Sequence, residues 1–155
     1  WLEEPLPPDR IGGYAEVRRR TGIPIAGGEH EYTRWGFKVL LDAEAVDVVQ
    51  VDTDWTGGIS EITKIVALCS AYERQVIPHG HSVAPALHLV ASQSPAACPL
   101  LEFLLVYLER KQWFHADPIL PVKGMVALPA KPGIGVALDE AKVLRRQEIT
   151  FSEGV

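Results

Sequence analysis

Residues 23–34 of the chain read Ile23-Pro24-Ile25-Ala26-Gly27-Gly28-Glu29-His30-Glu31-Tyr32-Thr33-Arg34. The apolar start of this stretch predicts a buried strand, the paired glycines predict its end, and a helical pattern begins at Thr33. Carboxylate and imidazole side chains lie between the strand and the helix. Because an unpaired charge is costly to bury, these carboxylates indicate either ion pairs or a bound cation at the end of the strand.

The same arrangement recurs along the chain, where other short apolar runs also end in an acidic or imidazole side chain. The residues at these ends are spaced about 25 positions apart, the length of one strand, one helix and two loops; they are Glu3, Glu29, Asp52, His79 and Glu102. Such a repeat predicts an α/β fold, a parallel (β/α) barrel whose active site lies at the carboxyl ends of the strands.

The elements predicted around these positions follow from the hydrophobic periodicity. The predicted strands after the first two are Val46–Val51, Gln75–Pro78 and Pro99–Glu102. The predicted helices run from an N-cap at Asp9 to Arg20, over Thr33–Asp42, over Ile59–Glu73 and over Ala84–Ser92. These assignments make about five strand–helix units.

The length of the chain bounds its organisation. A complete (β/α)8 barrel needs roughly 250 residues, and this chain has 155. We predict that residues 1–113 are the C-terminal portion of a barrel and that 114–155 are a segment of irregular turns that packs toward another part of the protein, with a last strand at Glu148–Phe151. The chain opens at Trp1 inside a strand-like run, so we expect the N-terminal part of the protein to be absent from this sequence.

Composition argues against several classes of partner. The net charge is −5 and the basic side chains form no run longer than Arg18–Arg20, so we predict no nucleic-acid binding. The apolar stretches are too short for a membrane span. Two cysteines, Cys69 and Cys98, form neither a disulfide framework nor a metal-binding spacing, which fits a reducing, cytoplasmic location.

Two carboxylates are candidate metal ligands. Glu3 and Glu29 end neighbouring predicted strands, and hard oxygen ligands of this kind suit Mg²⁺. The alternative is that each glutamate forms an ion pair with a nearby lysine or arginine.

A second pair of residues is a candidate for proton transfer. Asp52 and His79 end adjacent strands, and a carboxylate bonded to one imidazole nitrogen fixes the tautomer and raises the basicity of the other nitrogen. The alternative for His79 is a hydrogen-bonded structural histidine. Glu102, at the end of the last strand, is either a protonated hydrogen-bond donor to a developing oxyanion or an ion-pair partner. Three further residues lie near the mouth of the predicted barrel, where the carboxyl ends of the strands meet, and are predicted to bind substrate: His30, Asp54 and His81.

The chain resembles the mandelate racemase subgroup of the enolase superfamily, and within it L-rhamnonate dehydratases and other acid-sugar dehydratases. The residues that carry the resemblance are Trp1-Leu2-Glu3-Glu4-Pro5, Gly28-Glu29-His30-Glu31-Tyr32-Thr33-Arg34, Val51-Asp52 with Gly57-Gly58, Pro78-His79-Gly80, Glu102 and Pro132-Gly133-Ile134-Gly135-Val136. The resemblance implies an enolase-type modified TIM barrel, (β/α)7β, with an α+β capping domain built from both ends of the chain. The C-terminal segment would return to that cap, whose N-terminal part is expected to be absent here.

The resemblance also implies an activity, that of a carbon–oxygen lyase acting on sugar acids in carbohydrate catabolism. Glu3 and Glu29 match the second and third ligands of Mg²⁺, and the first would lie before Trp1. His79, oriented by Asp52, would remove the α-proton to give a metal-stabilised enediolate, with Glu102 as hydrogen-bond donor. Loss of the β-hydroxyl would give a 2-keto-3-deoxy sugar acid, and the resemblance further implies a homo-oligomer.

Two alternatives stay open from the sequence. A racemase or epimerase of the same superfamily uses the same metal and proton abstraction. A non-catalytic fragment or pseudoenzyme is the other, although all five expected strand-end residues are present. By itself this portion of the protein is expected to be inactive, because its metal shell is incomplete and its sheet edge is open.

Overall fold

Four short strands alternate with four helices in the computed structural model, which describes residues 1–149. These elements are β1 (Leu2–Glu3), α1 (Ile11–Thr21), β2 (Ile25–Gly27), α2 (Thr33–Asp42), β3 (Val48–Val49), α3 (Ile59–Ala71), β4 (Gln75–Val76) and α4 (Val83–Ser92). A fifth helix, α5 (Leu105–Lys111), and a 3-10 turn over Glu140–Lys142 follow. Within the described residues no helix is both long enough and apolar enough to cross a membrane.

The strands form one parallel sheet in the order β1-β2-β3-β4. Glu3 lies opposite Ala26, Ala26 opposite Val48, and Val48 opposite Gln75. Strand order therefore equals chain order, as in a (β/α) repeat, and the carboxyl ends of all four strands meet along one edge. The predicted α/β fold with a parallel sheet is confirmed.

The fifth predicted strand, Pro99–Glu102, is not a regular strand, although the chain there runs beside β4. The backbone N–H of Val76 donates to the carbonyl of Ala97 at 2.8 Å, and that of Glu102 donates to the carbonyl of Pro78 at 3.3 Å. Proline occupies positions 78 and 99 and has no N–H to donate. The ladder between these two hydrogen bonds therefore lacks donors, and the assignment as a strand is wrong.

The other elements differ from the predictions mainly at their ends. The bounds of α2 are as predicted, α3 ends two residues earlier than Glu73, and α4 begins one residue earlier than Ala84. The predicted N-cap at Asp9 is wrong, because Arg10 precedes α1 and makes no side-chain cap hydrogen bond. The predicted strand Glu148–Phe151 reaches outside the described residues.

The main hydrophobic core lies between the sheet and the helices. It is built from fully buried side chains such as Phe37 on α2 and Ile62 and Ile65 on α3, together with Val49 of β3. Cys69 belongs to this core, and burial raises the pKa of its thiol to about 12. This packing fixes the helices against the outer face of the strands.

A second, smaller core joins α4 to α5 and to the chain beyond. Val83, Leu87, Leu108 and Ile119 are buried together there. Between α5 and residue 149, the β-pairing consists of isolated antiparallel bridges, such as that of His115 with Leu138. That this C-terminal segment packs toward a capping domain stays a prediction.

Replacing Gly28, at the end of β2, should destabilise the protein. The backbone at Gly28 has φ +118°, and a Cβ atom there would lie 2.9 Å from Cε1 of Phe37. We expect Gly28→Ala to lower the free energy of unfolding by about 1–3 kcal/mol, measured by urea denaturation of the complete natural polypeptide.

The matched control is Gly12→Ala within α1. A Cβ atom at Gly12 meets no atom within 4 Å, so this variant should be roughly 0.5–1 kcal/mol more stable than the wild type because alanine is the better helix former. Equal stability of Gly28→Ala and the wild type would contradict the strain argued for position 28.

Candidate active site

The buried imidazole of His79 lies at the centre of the polar edge of the sheet. Its Nδ1 is 2.9 Å from Oδ2 of Asp52, and its Nε2 is 3.2 Å from Oε2 of Glu29 and 4.0 Å from Oε2 of Glu102. The structure thus brings four of the five predicted strand-end residues together. They converge because parallel strands deliver their carboxyl ends to the same edge.

The carboxylate of Asp52 is completely buried and is held by three donors. Oδ2 faces His79, while Oδ1 accepts the backbone N–H groups of Asp54 at 2.8 Å and Trp55 at 3.2 Å. Burial acts to raise the pKa of Asp52, but these hydrogen bonds outweigh burial, and the pKa lies below its ordinary value. Asp52 is therefore a stable anion against Nδ1 of His79.

The pKa of His79 is shifted in the opposite direction. Burial acts to lower it, but the hydrogen bond to Asp52 and the negative charges of Glu29 and Glu102 raise it above the ordinary value. With Nδ1–H committed to Asp52, the remaining nitrogen, Nε2, is the one that can accept a proton. A histidine with this environment is a good general base.

Glu102 lies across from His79 and is tied to the same loop. One of its carboxylate oxygens accepts the backbone N–H of Gly80 at 2.9 Å. The two segments approach so closely that a Cβ atom at Gly80 would lie 2.8 Å from the backbone oxygen of Glu102. Burial raises the pKa of Glu102, and the charge of Glu3 raises it further, which favours a protonated, donating carboxyl group.

Several carboxylates crowd the ends of β1 and β2. Burial raises the pKa of Glu29, and the negative charges of Glu4 and Glu3 add to that rise. Glu4, which the sequence analysis did not single out, lies 3.2 Å from Nδ1 of His30, and its oxygens lie within 4.8 Å of ligand atoms of Glu29 and His30. Glu4 directly follows Glu3, and that doubled acid was the signal for it.

The donor set at this position fits Mg²⁺. Glu3 and Glu29 supply hard carboxylate oxygens from neighbouring strands, which this ion prefers. Burial is the main cause of the raised pKa of Glu29, and the repulsion from Glu4 and Glu3 that adds to it is the kind that a divalent cation relieves. Glu3 also accepts the indole N–H of Trp1 at 3.1 Å. The assignment of Glu3 and Glu29 as metal ligands stays a prediction.

A second polar group lies beside the first, on the loops after β3 and β4. His81 places Nδ1 at 3.1 Å from Oδ2 of Asp54 and at 3.6 Å from Oδ2 of Asp52, while Nε2 contacts Nζ of Lys111. Oxygen and nitrogen atoms of Asp52, Asp54 and His81 are close enough to share a cation. The ammonium of Lys111 next to His81 makes that group a poor cation site.

Lys111 could not be predicted as part of this site, because a lysine near the end of a helix carries no sequence signal for contact with a distant loop.

The residues predicted to bind substrate are His30, Asp54 and His81. His30 and His81 flank the ring of Trp55, with ring centroids at 6.0 and 5.4 Å. All three predicted residues therefore lie at the mouth, and their role toward substrate stays a prediction.

The loop that carries Glu29 is anchored by a contact between helices. No side chain of the loop caps α2. Instead, Glu61 of α3 accepts the backbone N–H of Arg34 at 3.0 Å and pairs with its guanidinium at 2.9 Å. The backbone N–H of Thr33 donates to the carbonyl of Thr56. These bonds tie the loop after β2 to the loop after β3 and so fix Glu29 relative to Asp52.

Comparison with known proteins shows the family to which this chain belongs. Residues 1–142 match the family described as enolase C-terminal domain-like, so the chain belongs to that family. The expected enolase-type barrel and the resemblance to its mandelate racemase subgroup are confirmed.

Individual relatives narrow the class further. The chain is 40% identical over 154 residues to L-rhamnonate dehydratase of Saccharopolyspora erythraea, which covers 94% of this chain and 39% of that protein. The crystal structure of 3,6-anhydro-D-galactonate cycloisomerase from Zobellia galactanivorans superposes with a TM-score of 0.82 at 35% identity, over 92% of this chain and 41% of that one.

A third relative was crystallised with ligands. The structure of L-talarate dehydratase from Polaromonas sp. JS666, complexed with Mg and L-glucarate, superposes with a TM-score of 0.78 at 26% identity. The match covers 91% of this chain and 38% of the talarate dehydratase chain. The chain therefore spans about two fifths of the length of these relatives.

Removing the Asp52 carboxylate should be costly, because its donors would stay buried without an acceptor. We expect Asp52→Ala to lower the free energy of unfolding of the complete natural polypeptide by about 2–4 kcal/mol, since each unsatisfied buried group costs about 1–3 kcal/mol. Asp52→Asn keeps an oxygen that can accept from the backbone donors, so its free energy of unfolding should fall by less than that of Asp52→Ala.

Asp54→Ala is the control for this series. Asp54 is exposed, and its pairing with His81 should contribute less than about 1 kcal/mol. Denaturant unfolding measures all three variants, and an Asp52→Ala protein as stable as Asp54→Ala would contradict the role of Asp52 as a buried acceptor.

Proposed function

We propose that the protein is a Mg²⁺-dependent acid-sugar dehydratase, similar in reaction to L-rhamnonate dehydratase. The observation that supports this most is the buried His79, with Nδ1 on Asp52 at 2.9 Å and Nε2 facing Glu29 and Glu102. One nitrogen is held by an anion and the other faces the carboxylates where a sugar-acid carboxylate and a metal would meet.

The first step is removal of the α-proton by His79. Asp52 holds Nδ1–H, so Nε2 carries the lone pair that takes the proton from the α-carbon. The electron pair of the broken C–H bond moves toward the substrate carboxylate as an enediolate. Asp52 then stabilises the imidazolium that His79 has become, at no cost in reorganisation because its three donors are already in place.

Glu3 and Glu29 would hold the metal. When bound, Mg²⁺ supplies Lewis-acid chemistry that withdraws electron density from the substrate carboxylate and so acidifies the α-proton. Further ligands would come from water, from substrate and from residues beyond this chain.

Glu102 stabilises the charge that develops at the substrate carboxylate. Its pKa is raised by burial, so its carboxyl group can be protonated and can donate a hydrogen bond to an oxygen of the enediolate. The β-carbon–oxygen bond then breaks, and the departing hydroxyl takes a proton from Nε2–H of His79 to leave as water. The enol that remains tautomerises to a 2-keto-3-deoxy sugar acid.

The substrate class rests on the relatives. Proteins 40% and 26% identical to this chain are dehydratases of the sugar acids L-rhamnonate and L-talarate. His30, Asp54 and His81 lie at the mouth of the barrel, and we propose that they line the site for such a substrate. The homo-oligomeric state and the cytoplasmic location remain predictions.

The reaction can be tested with the complete natural polypeptide, Mg²⁺ and a panel of sugar acids that includes L-rhamnonate, L-talarate and 3,6-anhydro-D-galactonate. We expect a 2-keto-3-deoxy product from one or a few of them, and a loss of about 10³-fold or more in kcat for His79→Asn, because this variant lacks the base. His88→Asn, on α4, is the matched control and should keep wild-type turnover.

The outcome that would contradict dehydration is also measurable. If substrate recovered from a reaction in D₂O carries deuterium at the α-carbon and no keto product forms, racemisation or epimerisation is favoured instead. A His79→Asn enzyme that still dehydrates substrate would remove His79 from the role of base.

The metal site has its own test. We expect Glu29→Gln to weaken Mg²⁺ binding at least tenfold, as measured by calorimetry, because the variant loses a charged oxygen ligand. Glu44→Gln, an exposed glutamate that lies 3.7 Å from Arg18, is the control and should bind Mg²⁺ as the wild type does. Unchanged binding by Glu29→Gln would place the ion elsewhere.

A further inference from the structure

A lysine from outside the four strand–helix units reaches the second histidine at the mouth. Nζ of Lys111, at the end of α5, contacts Nε2 of His81. Among residues 1–149, no carboxylate oxygen lies within 4 Å of this ammonium, and its hydrogen-bond partner is the imidazole. A lysine in such a contact is a donor only, because an ammonium has no lone pair.

This contact determines which nitrogen of His81 carries the proton. Nε2 has to accept from Lys111, so its lone pair is occupied and it cannot bear hydrogen. Nδ1 therefore carries the hydrogen, and it points to the carboxylates of Asp54 at 3.1 Å and Asp52 at 3.6 Å. This arrangement of partners corresponds to a neutral His81 as the Nδ1–H tautomer.

The state of His81 matters because its Nδ1 also lies near the carboxylate that holds His79. Oδ2 of Asp52 is 2.9 Å from Nδ1 of His79, whereas Nδ1 of His81 is hydrogen-bonded to Asp54 and lies 3.6 Å from the same Oδ2 of Asp52. The two rings are nearly parallel, with an interplanar angle of 11° and centroids 6.1 Å apart. A neutral His81 is the weaker competitor, whereas an imidazolium there would draw Asp52 away from His79.

The backbone around Lys111 is anchored by its neighbours in α5 and directly after it. On the preceding turn of α5, Leu108 is buried in the second core. Directly after Lys111, the buried amide of Gln112 makes two hydrogen bonds to the backbone of Ile119, at 2.9 and 2.6 Å. The end of α5 is thereby anchored on the side from which Lys111 reaches His81.

We propose that Lys111 is a positioning residue for the dehydratase: by donating to Nε2 of His81, it keeps that histidine neutral as the Nδ1–H tautomer and leaves Asp52 to His79. The importance of this arrangement for turnover rests on the proposed function. The tautomer of His81 does not, since it follows from the contacts of Lys111 alone.

Nitrogen-15 NMR of histidine-labelled complete polypeptide tests the tautomer directly, because it distinguishes protonated from unprotonated ring nitrogens. In the wild type we expect His81 with Nδ1 protonated and Nε2 unprotonated. In Lys111→Met, Nε2 should become protonated in a large share of the molecules. An Nε2–H tautomer in the wild type, or an unchanged spectrum in Lys111→Met, would overturn the proposal whether or not a substrate is known.

Steady-state kinetics test whether this positioning affects turnover, with the substrate that the sugar-acid panel identifies. We expect Lys111→Met to lower kcat by about tenfold or more, as loss of such a supporting contact does, with KM changed less than about threefold. Lys111→Arg retains a donor and should restore both the tautomer and most of kcat. Arg110→Met, the adjacent exposed cation of α5, is the matched control and should match the wild type.

The two readouts separate failure of this inference from failure of the proposed function. If no sugar acid is dehydrated but the tautomer of His81 changes as expected, the result supports the positioning of His81 by Lys111 and contradicts the proposed dehydratase activity. If dehydration is found and Lys111→Met keeps full kcat, Lys111 has no part in positioning the base.

Discussion

The buried charge of Asp52 is the constraint on which the rest of the site depends. A carboxylate with no exposed surface has to be met by hydrogen bonds, and three donors meet it: two backbone N–H groups of its own loop and the imidazole of His79. Because all three are needed, the loop after β3 and the histidine after β4 cannot move independently. The interaction that stabilises the anion is therefore the one that orients the imidazole of His79.

The remaining charges are arranged around this pair by burial and by mutual repulsion. The pKa of Asp52 lies below its ordinary value, whereas burial raises the pKa of Glu29 and of Glu102. Three acidic side chains on one edge thus have different tendencies to ionise. That difference is what a reaction needs when one carboxylate must stay charged while another donates a proton.

Much of the site was predictable because polar residues at strand ends recur at a fixed interval. In a parallel sheet the carboxyl ends share an edge, so residues far apart in sequence meet without any knowledge of packing; Asp52 and His79 are the example. Predictions failed where the local pattern was misleading. Pro99–Glu102 is apolar and extended, yet two prolines remove the donors of its ladder, and Asp9 suits an N-cap that the chain does not use.

The sequence by itself determined the (β/α) order, the parallel sheet and the identity of the polar residues at its edge, because period and spacing are properties of neighbouring positions. Only the tertiary structure decided which nitrogen of each histidine is occupied, that Glu4 approaches Glu29, and that Lys111 reaches His81 from a helix 30 residues away. These features depend on how the second core and Gln112 fix α5 against the barrel. Side-chain contacts across such distances have no periodic signal, since they are set by packing in three dimensions.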